Sequence, residues 1–199
     1  MKDPYIWVVD DVIPKQKCKE IIDKFNADKS PDKKKGSIGR GVDLLHKNST
    51  DLLISGKDNW TDIDNYFRNL VNKLMQKYSN YITLTFNSFT AFTTGENMTV
   101  LTPLGDNPYD LGYQIQRTEV GEGYVWHNDY DKGRVLTFII YLNSVDEGWT
   151  QFWNGDQVSP QTGRCLMFPA TWAYLHQGYP PKQTKYIMTG WIHHDLNLY

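Results

Sequence analysis

The apolar positions of the chain change period part-way along it. Cys18, Ile21, Ile22 and Phe25 recur at helical spacing after Pro14, a residue suited to a first helical turn, and predict a helix over 14–26. Ile63, Phe67, Leu70, Val71, Leu74 and Tyr78 form a second stripe and predict a helix over 60–78, with Thr61 and Asp64 offering a capping arrangement at its start. From position 112 onward the pattern changes. Segments 113–118, 124–130, 134–143, 150–153, 164–168, 173–176 and 185–193 each read as a short strand, set apart by Gly, Pro and Asn turns. Segment 134–143 is apolar on both faces, as expected of a strand covered on both sides: Val135, Thr137, Ile139 and Tyr141 lie on one face, Leu136, Phe138, Ile140 and Leu142 on the other. Shorter strands are expected at 5–9, 40–47 and 50–55. The lysine-rich stretch 28–35 has no apolar position and contains Pro31, which predicts a solvated loop. Between 81 and 112 the pattern is irregular. Phe86, Phe89 and Phe92 alternate with threonines, which favours extended backbone, and Gly95, Pro103, Gly105 and Pro108 follow. Such a connection suits either a lid over a site, spanning 92–112, or a peripheral hairpin.

At 199 residues the chain is expected to form one domain, 1–199. Helices and supporting strands occupy 1–83 and a strand-rich core occupies 112–193. A net charge of -2 gives no basis for bulk electrostatic binding to nucleic acid or an acidic membrane. No stretch approaches the ~20 apolar residues of a membrane span. The first residues carry charge too early, and too short an apolar run, for a signal peptide, so a cytoplasmic location is expected. Cys18 and Cys165 are far apart in sequence and read as free buried thiols of a reducing compartment.

The chemistry centres on Gly121-Glu-Gly-Tyr-Val-Trp-His127-Asn-Asp129-Tyr130. On an extended strand residues i and i+2 share a face, so His127 and Asp129 can grip one ion from one side. A third ligand is available at His176, and a cation, Lys185, follows nine residues later. Two histidines and one carboxylate with open positions suit Fe(II) in non-haem oxygenases. Both imidazoles must be neutral to bind it.

These residues, together with Gly112-Tyr-Gln-Ile-Gln-Arg-Thr118, Tyr141-Leu-Asn143, Phe168-Pro169 and the segment from His176 to Trp191, resemble the Fe(II)- and 2-oxoglutarate-dependent dioxygenases. The likeness is closest to the prolyl 4-hydroxylase-like branch of marine phages and bacteria, and it covers the C-terminal half in detail. The resemblance implies an α+β, mainly β fold: a double-stranded β-helix, or jelly-roll, core with the N-terminal helices packed outside. It implies Fe(II) on His127, Asp129 and His176, with 2-oxoglutarate and O₂ as cosubstrates and ascorbate in support. Lys185 is implied as the cation for the far carboxylate of 2-oxoglutarate, and Tyr141 as a hydrogen-bond partner of that carboxylate. Thr189 shares a strand face with Lys185 and can donate to the same group.

Two features depart from the family pattern. A tyrosine usual about nine residues before the first histidine is replaced by Thr118, with Gln116 on the same strand face. Glu147-Gly148-Trp149-Thr-Gln-Phe152 keeps only one of two usual glycines. The resemblance implies a prolyl residue of a peptide or protein as substrate, lying beside Trp126, Tyr130 and Trp172. A free amino acid or other small molecule is the alternative, as is a jelly-roll that binds without catalysis. No nucleic-acid or membrane partner is expected, since Lys185-Tyr-Ile-Met-Thr-Gly-Trp191 lacks the second arginine that nucleic-acid demethylases tend to carry.

Overall fold

The computed structural model describes residues 3–39, 41–87, 108–131 and 133–194. In chain order the elements are β1 (Trp7–Val9), α1 (Lys15–Ala27), β2 (Lys34–Lys35), β3 (Thr50–Leu53), a 3-10 turn (Asp58–Trp60), α2 (Thr61–Asn87), β4 (Tyr109–Asp110), β5 (Gln114–Thr118), β6 (Tyr124–His127), β7 (Arg134–Tyr141), β8 (Thr150–Phe152), β9 (Gln157–Val158), β10 (Cys165–Pro169), β11 (His176–Gly178) and β12 (Lys185–His193). Two antiparallel sheets result. The larger runs β1-β10-β7-β12-β5-β3-β2, with β4 also paired to β12; the smaller runs β6-β11-β8-β9. Apart from the consecutive pairs β2–β3 and β8–β9, the strands that lie side by side are non-consecutive, as in a jelly roll.

The larger sheet separates two interiors, and side-chain alternation assigns each residue to one of them. Toward the helices, Leu136, Phe138 and Ile140 of β7 and Met188 and Ile192 of β12 join Ile21 and Phe25 of α1 and Phe67, Val71, Leu74 and Tyr78 of α2 in the main core. Toward the smaller sheet, Ile139, Tyr141, Leu166 and Phe168 meet Phe152 and Val158 in a second cluster. The expected fold class, with helices outside a β-helix core, is the one observed. Gly190 shows how tight the centre is: a Cβ there would lie 2.6 Å from the Phe138 ring and 2.8 Å from the Gly112 carbonyl oxygen.

Several local expectations change. The second helix continues past Tyr78 to Asn87, so Phe86 is helical rather than extended. Ile82, 2% exposed, carries the buried stripe one turn further, and the Thr85 hydroxyl donates to the Tyr81 carbonyl, 2.7 Å away. Thr61 does not cap this helix; its hydroxyl donates to the Asp58 carbonyl of the preceding turn at 3.1 Å. Asp64 instead accepts from Ser55 and, at 3.4 Å, from Arg68. Residues 41–47 form turns and isolated bridges rather than a strand, and Leu45 is 88% exposed. The predicted strand 124–130 ends at His127. Strands β2, β4 and β9 were not anticipated. Phe89, Phe92 and most of the suggested lid lie outside the described residues.

Candidate metal and cosubstrate site

A cavity of about 560 Å³ opens between the two sheets. The larger sheet lines it with alternate residues of three strands: Gln114, Gln116 and Thr118 of β5; Thr137, Ile139 and Tyr141 of β7; Lys185, Ile187, Thr189 and Trp191 of β12. The smaller sheet supplies Tyr124, His127, Thr150 and His176.

His127 closes β6 and pairs directly with His176 at the start of β11. The register then slips, because three residues of β6 span the same distance as two of β11. The resulting bulge turns both Tyr124 and His127 into the cavity and leaves Val125 and Trp126 both facing solvent. Asp129 follows two residues later, past the strand end. One ligand atom from each of His127, Asp129 and His176 lies within 4.8 Å of the others. The His127 Nε2 is 3.9 Å from Asp129 Oδ1, and the His176 Nε2 is 3.7 Å from Asp129 Oδ2.

The surroundings select the metal-binding form of each group. Each imidazole turns its Nδ1 to a backbone carbonyl, His127 to Val125 at 2.8 Å and His176 to Tyr174 at 2.9 Å. With Nδ1–H donating there, Nε2 carries the free lone pair and faces the cluster. Burial, and then the neighbouring His176, push the His127 imidazole down to about 3, so it is neutral at ordinary pH. Burial acts to raise Asp129, but the facing histidines and the Thr137 hydroxyl hold its carboxyl below the usual carboxylate range. Thr137 Oγ1 donates to Asp129 Oδ2 at 2.8 Å. Two imidazole nitrogens and one carboxylate oxygen converging on one point are a donor set that fits a divalent first-row metal.

Lys185 lies further along the same cavity, 5% exposed. Its Nζ donates to the Gly148 carbonyl at 2.7 Å, and burial pushes its pKa down to about 8. Gly148 and the residue before it, Glu147, both have left-handed backbone, with φ of 65° and 59°. Left-handed backbone favours glycine, so at this turn the glutamate bears part of the strain. Thr118 faces Lys185 across the β5–β12 register. The Tyr141 hydroxyl bonds Thr150 Oγ1 at 2.7 Å, the Thr189 hydroxyl donates to the Phe138 carbonyl at 2.8 Å, and Gln116 Nε2 donates to Gln114 Oε1 at 2.7 Å.

The residues expected to meet substrate separate into two groups. Tyr130 lines the cavity mouth. Trp126 and Trp172 are not among the lining residues; they are 43% and 75% exposed on the outer surface. Lining residues the sequence did not single out as a site include Lys47, Asn128, Asp131 and Arg134. Arg134 stacks on Trp191 at 4.0 Å, and the Trp191 indole N–H lies beside Asp129 without a hydrogen-bond acceptor in geometry. Strand parity pointed to Trp191; no pattern marked Lys47.

Residues 113–193 match the family model described as the 2OG-Fe(II) oxygenase superfamily. This segment is a 2OG-Fe(II) oxygenase domain. It contains every strand that lines the cavity, together with all three clustered ligands and Lys185. The family implies Fe(II), 2-oxoglutarate and O₂. Solved structures similar to the oxygenase extend the likeness over nearly the whole chain. A prolyl hydroxylase from Trichoplax adhaerens, in complex with a hypoxia inducible factor oxygen degradation domain peptide fragment, superposes with a TM-score of 0.72 at 17% identity, covering 96% of this chain and 84% of that one. A Pseudomonas putida prolyl-4-hydroxylase gives 0.63 at 14% identity, covering 96% and 93%. The viral collagen prolyl hydroxylase of Paramecium Bursaria Chlorella virus-1, as its 2OG complex, gives 0.58 at 19%, covering 94% and 95%. At these identities the superpositions establish the shared fold. No curated protein matches the chain. No described helix is long and apolar enough to cross a membrane.

Proposed function

We propose that the oxygenase hydroxylates an unactivated C–H bond of a prolyl residue in a peptide or protein, converting 2-oxoglutarate to succinate and CO₂. The observation that carries the reading is the cluster of His127, Asp129 and His176, whose ligand atoms converge within 4.8 Å while both Nδ1 atoms are tied away from it. Bound Fe(II) supplies the redox chemistry of the oxidative decarboxylation and of oxygen transfer. The protein would hold it through the Nε2 atoms of His127 and His176 and a carboxylate oxygen of Asp129, whose cluster opens toward the cavity.

Lys185 receives the far carboxylate of 2-oxoglutarate. A buried carboxylate needs a cation, and the contact of Lys185 with Gly148 holds the ammonium ready at the cavity wall. Thr118, Gln116 and Tyr141 line the same cavity and would orient the cosubstrate through their hydroxyls and amide, and the Thr189 hydroxyl would turn from the Phe138 carbonyl to join them. Tyr130 stands at the mouth, where an extended peptide would cross, with Trp126 and Trp172 outside. The peptide-bound Trichoplax hydroxylase, which superposes over most of this chain, supports that substrate class. Ascorbate keeps the iron reduced in turnovers without substrate.

The test is to incubate the protein with Fe(II), ascorbate and 2-oxoglutarate and measure succinate, then to add proline-rich peptides and look by mass spectrometry for the gain of one oxygen atom. Succinate formation that disappears in His176→Ala is expected. Succinate with a free amino acid and no oxygen gained by any peptide would refute the peptide substrate; no succinate at all would refute the oxygenase role.

A further inference from the structure

The cavity holds a second buried lysine, on the wall built by the turns before β3. Lys47 is 5% exposed and lines the cavity alongside Ser37, Asn48 and Ser49. Its position is fixed from two sides. The chain around it runs antiparallel to β6, with the Val125 N–H donating to the His46 carbonyl and the Asn48 N–H to the Gly123 carbonyl, both at 2.9 Å. Behind it, Asp51 accepts from Lys47 Nζ at 2.6 Å and from the Ser49 hydroxyl at 2.7 Å. The backbone at Gly36 presses on this cluster so closely that a Cβ would lie 2.8 Å from Asp51 Oδ2 and 3.0 Å from Lys47 Cε. The ammonium lies 5.5 Å from the centre of the Tyr124 ring, and that ring stacks on His127 at 3.4 Å. Lys47 therefore faces the metal side of the cavity.

An ammonium has three donors. Asp51 takes one, and it has both of its own oxygens engaged; the other two donors of Lys47 have no acceptor among the described residues. Leaving such donors buried and unfilled is costly, and a carboxylate oxygen is the strongest acceptor for an ammonium, through a charge-assisted hydrogen bond. Lys185 stands elsewhere in the cavity, on β12, where the cosubstrate's far carboxylate is placed above. We propose that Lys47 anchors a carboxylate of the prime substrate, so that the oxygenase selects a substrate with a carboxylate close to the reacting carbon. The carboxylate belongs either to a free amino acid or to an acidic residue beside the hydroxylated one. This inference rests on the oxygenase reading of the same cavity.

Removing Lys47 alone would leave Asp51 buried and unpaired, with a risk to folding. The variant to use is therefore Lys47→Met with Asp51→Asn, which removes both charges, alongside Lys47→Arg, which keeps them. Protein loaded with Mn(II) and 2-oxoglutarate without O₂ is titrated calorimetrically with two matched pairs: L-proline against L-prolinamide, and acetyl-Pro-Asp-amide against acetyl-Pro-Asn-amide. The carboxylate member of one pair is expected to bind at least about tenfold more tightly. That preference should fall below about twofold in the double variant and persist in Lys47→Arg, with 2-oxoglutarate affinity and thermal transition unchanged. A preference in the first pair identifies a free amino acid; in the second, an acidic neighbour in a peptide. Absence of a preference in both pairs, or a preference that survives in the double variant, overturns the proposal. Failure of the oxygenase reading shows itself separately, as absence of succinate from the wild-type protein.

Discussion

Thr137 offers the sharpest test of how this site is held, because it touches the cluster at one atom. It is 1% exposed, and its hydroxyl donates to Asp129 Oδ2 at 2.8 Å. Thr137→Val keeps the shape and removes the donor. A hydrogen bond to a charged group contributes about 1.5–3 kcal/mol. The lost bond frees the carboxylate to rotate and removes part of what holds it ionised. If Asp129 ligates the metal, affinity should fall about ten- to a hundredfold, the range usual for partners that orient a metal ligand. The assay is competition of Mn(II) or Co(II) against a chelating dye for wild type, Thr137→Val and Thr137→Ser, with serine expected to restore binding. The Michaelis constant for 2-oxoglutarate at saturating metal should change little, since Lys185 is untouched. Unchanged metal affinity in the valine variant would refute the reasoning. Either Asp129 is no ligand, or the Trp191 N–H beside it takes over the missing bond, and Thr137→Val with Trp191→Phe would separate those two cases.

Lys185 should make cosubstrate binding pH-dependent. Burial pushes its pKa down to about 8, so the Michaelis constant for 2-oxoglutarate should be flat below that pH and rise about tenfold per pH unit well above it, while Lys185→Arg stays flat throughout. By the same shift the cosubstrate-free protein should gain stability as pH rises from about 8 toward ~10.4, because the unfolded chain then holds a proton that the folded one has lost; thermal melts across that range check the sign. In the main core, Phe67→Ala should cost about 3–5 kcal/mol in chemical denaturation, while the folded fraction keeps its metal affinity, since the larger sheet stands between Phe67 and the cavity.

The sequence announced this site through alternation. Lys185, Ile187, Thr189 and Trp191 could be placed on one face because β12 is long and unbroken, and all four do line the cavity. The same rule misleads at β6. The bulge is set by how β11 pairs with it, a long-range contact that no local pattern records, so Val125 faces solvent and Tyr124 the cavity, the reverse of what alternation from His127 gives. The end of α2 was obscured by Thr83 and Thr85, poor helix formers that packing of Ile82 overrides. Lys47 was invisible for a different reason. It sits among exposed apolar residues in a turn-rich stretch, and only the pairing with β6 and with Asp51 turns it inward.

The bulge in β6 also constrains how this enzyme can change over evolutionary time. Tyr124 and His127, three residues apart, share a face only through the extra residue between them, and the segment joining them tolerates exchange of side chains. Losing that one residue would give regular pairing with ring and ligand two residues apart and still on one face, whereas gaining one would add a second unpaired residue to the bulge. Val125 and Trp126 contribute their backbone to this arrangement and leave their side chains at the surface, where they are free to vary. Divergent copies of this chain should therefore differ freely at positions 125 and 126, and a library that randomises those two positions would reshape the outer surface beside the cavity without dismantling the catalytic centre.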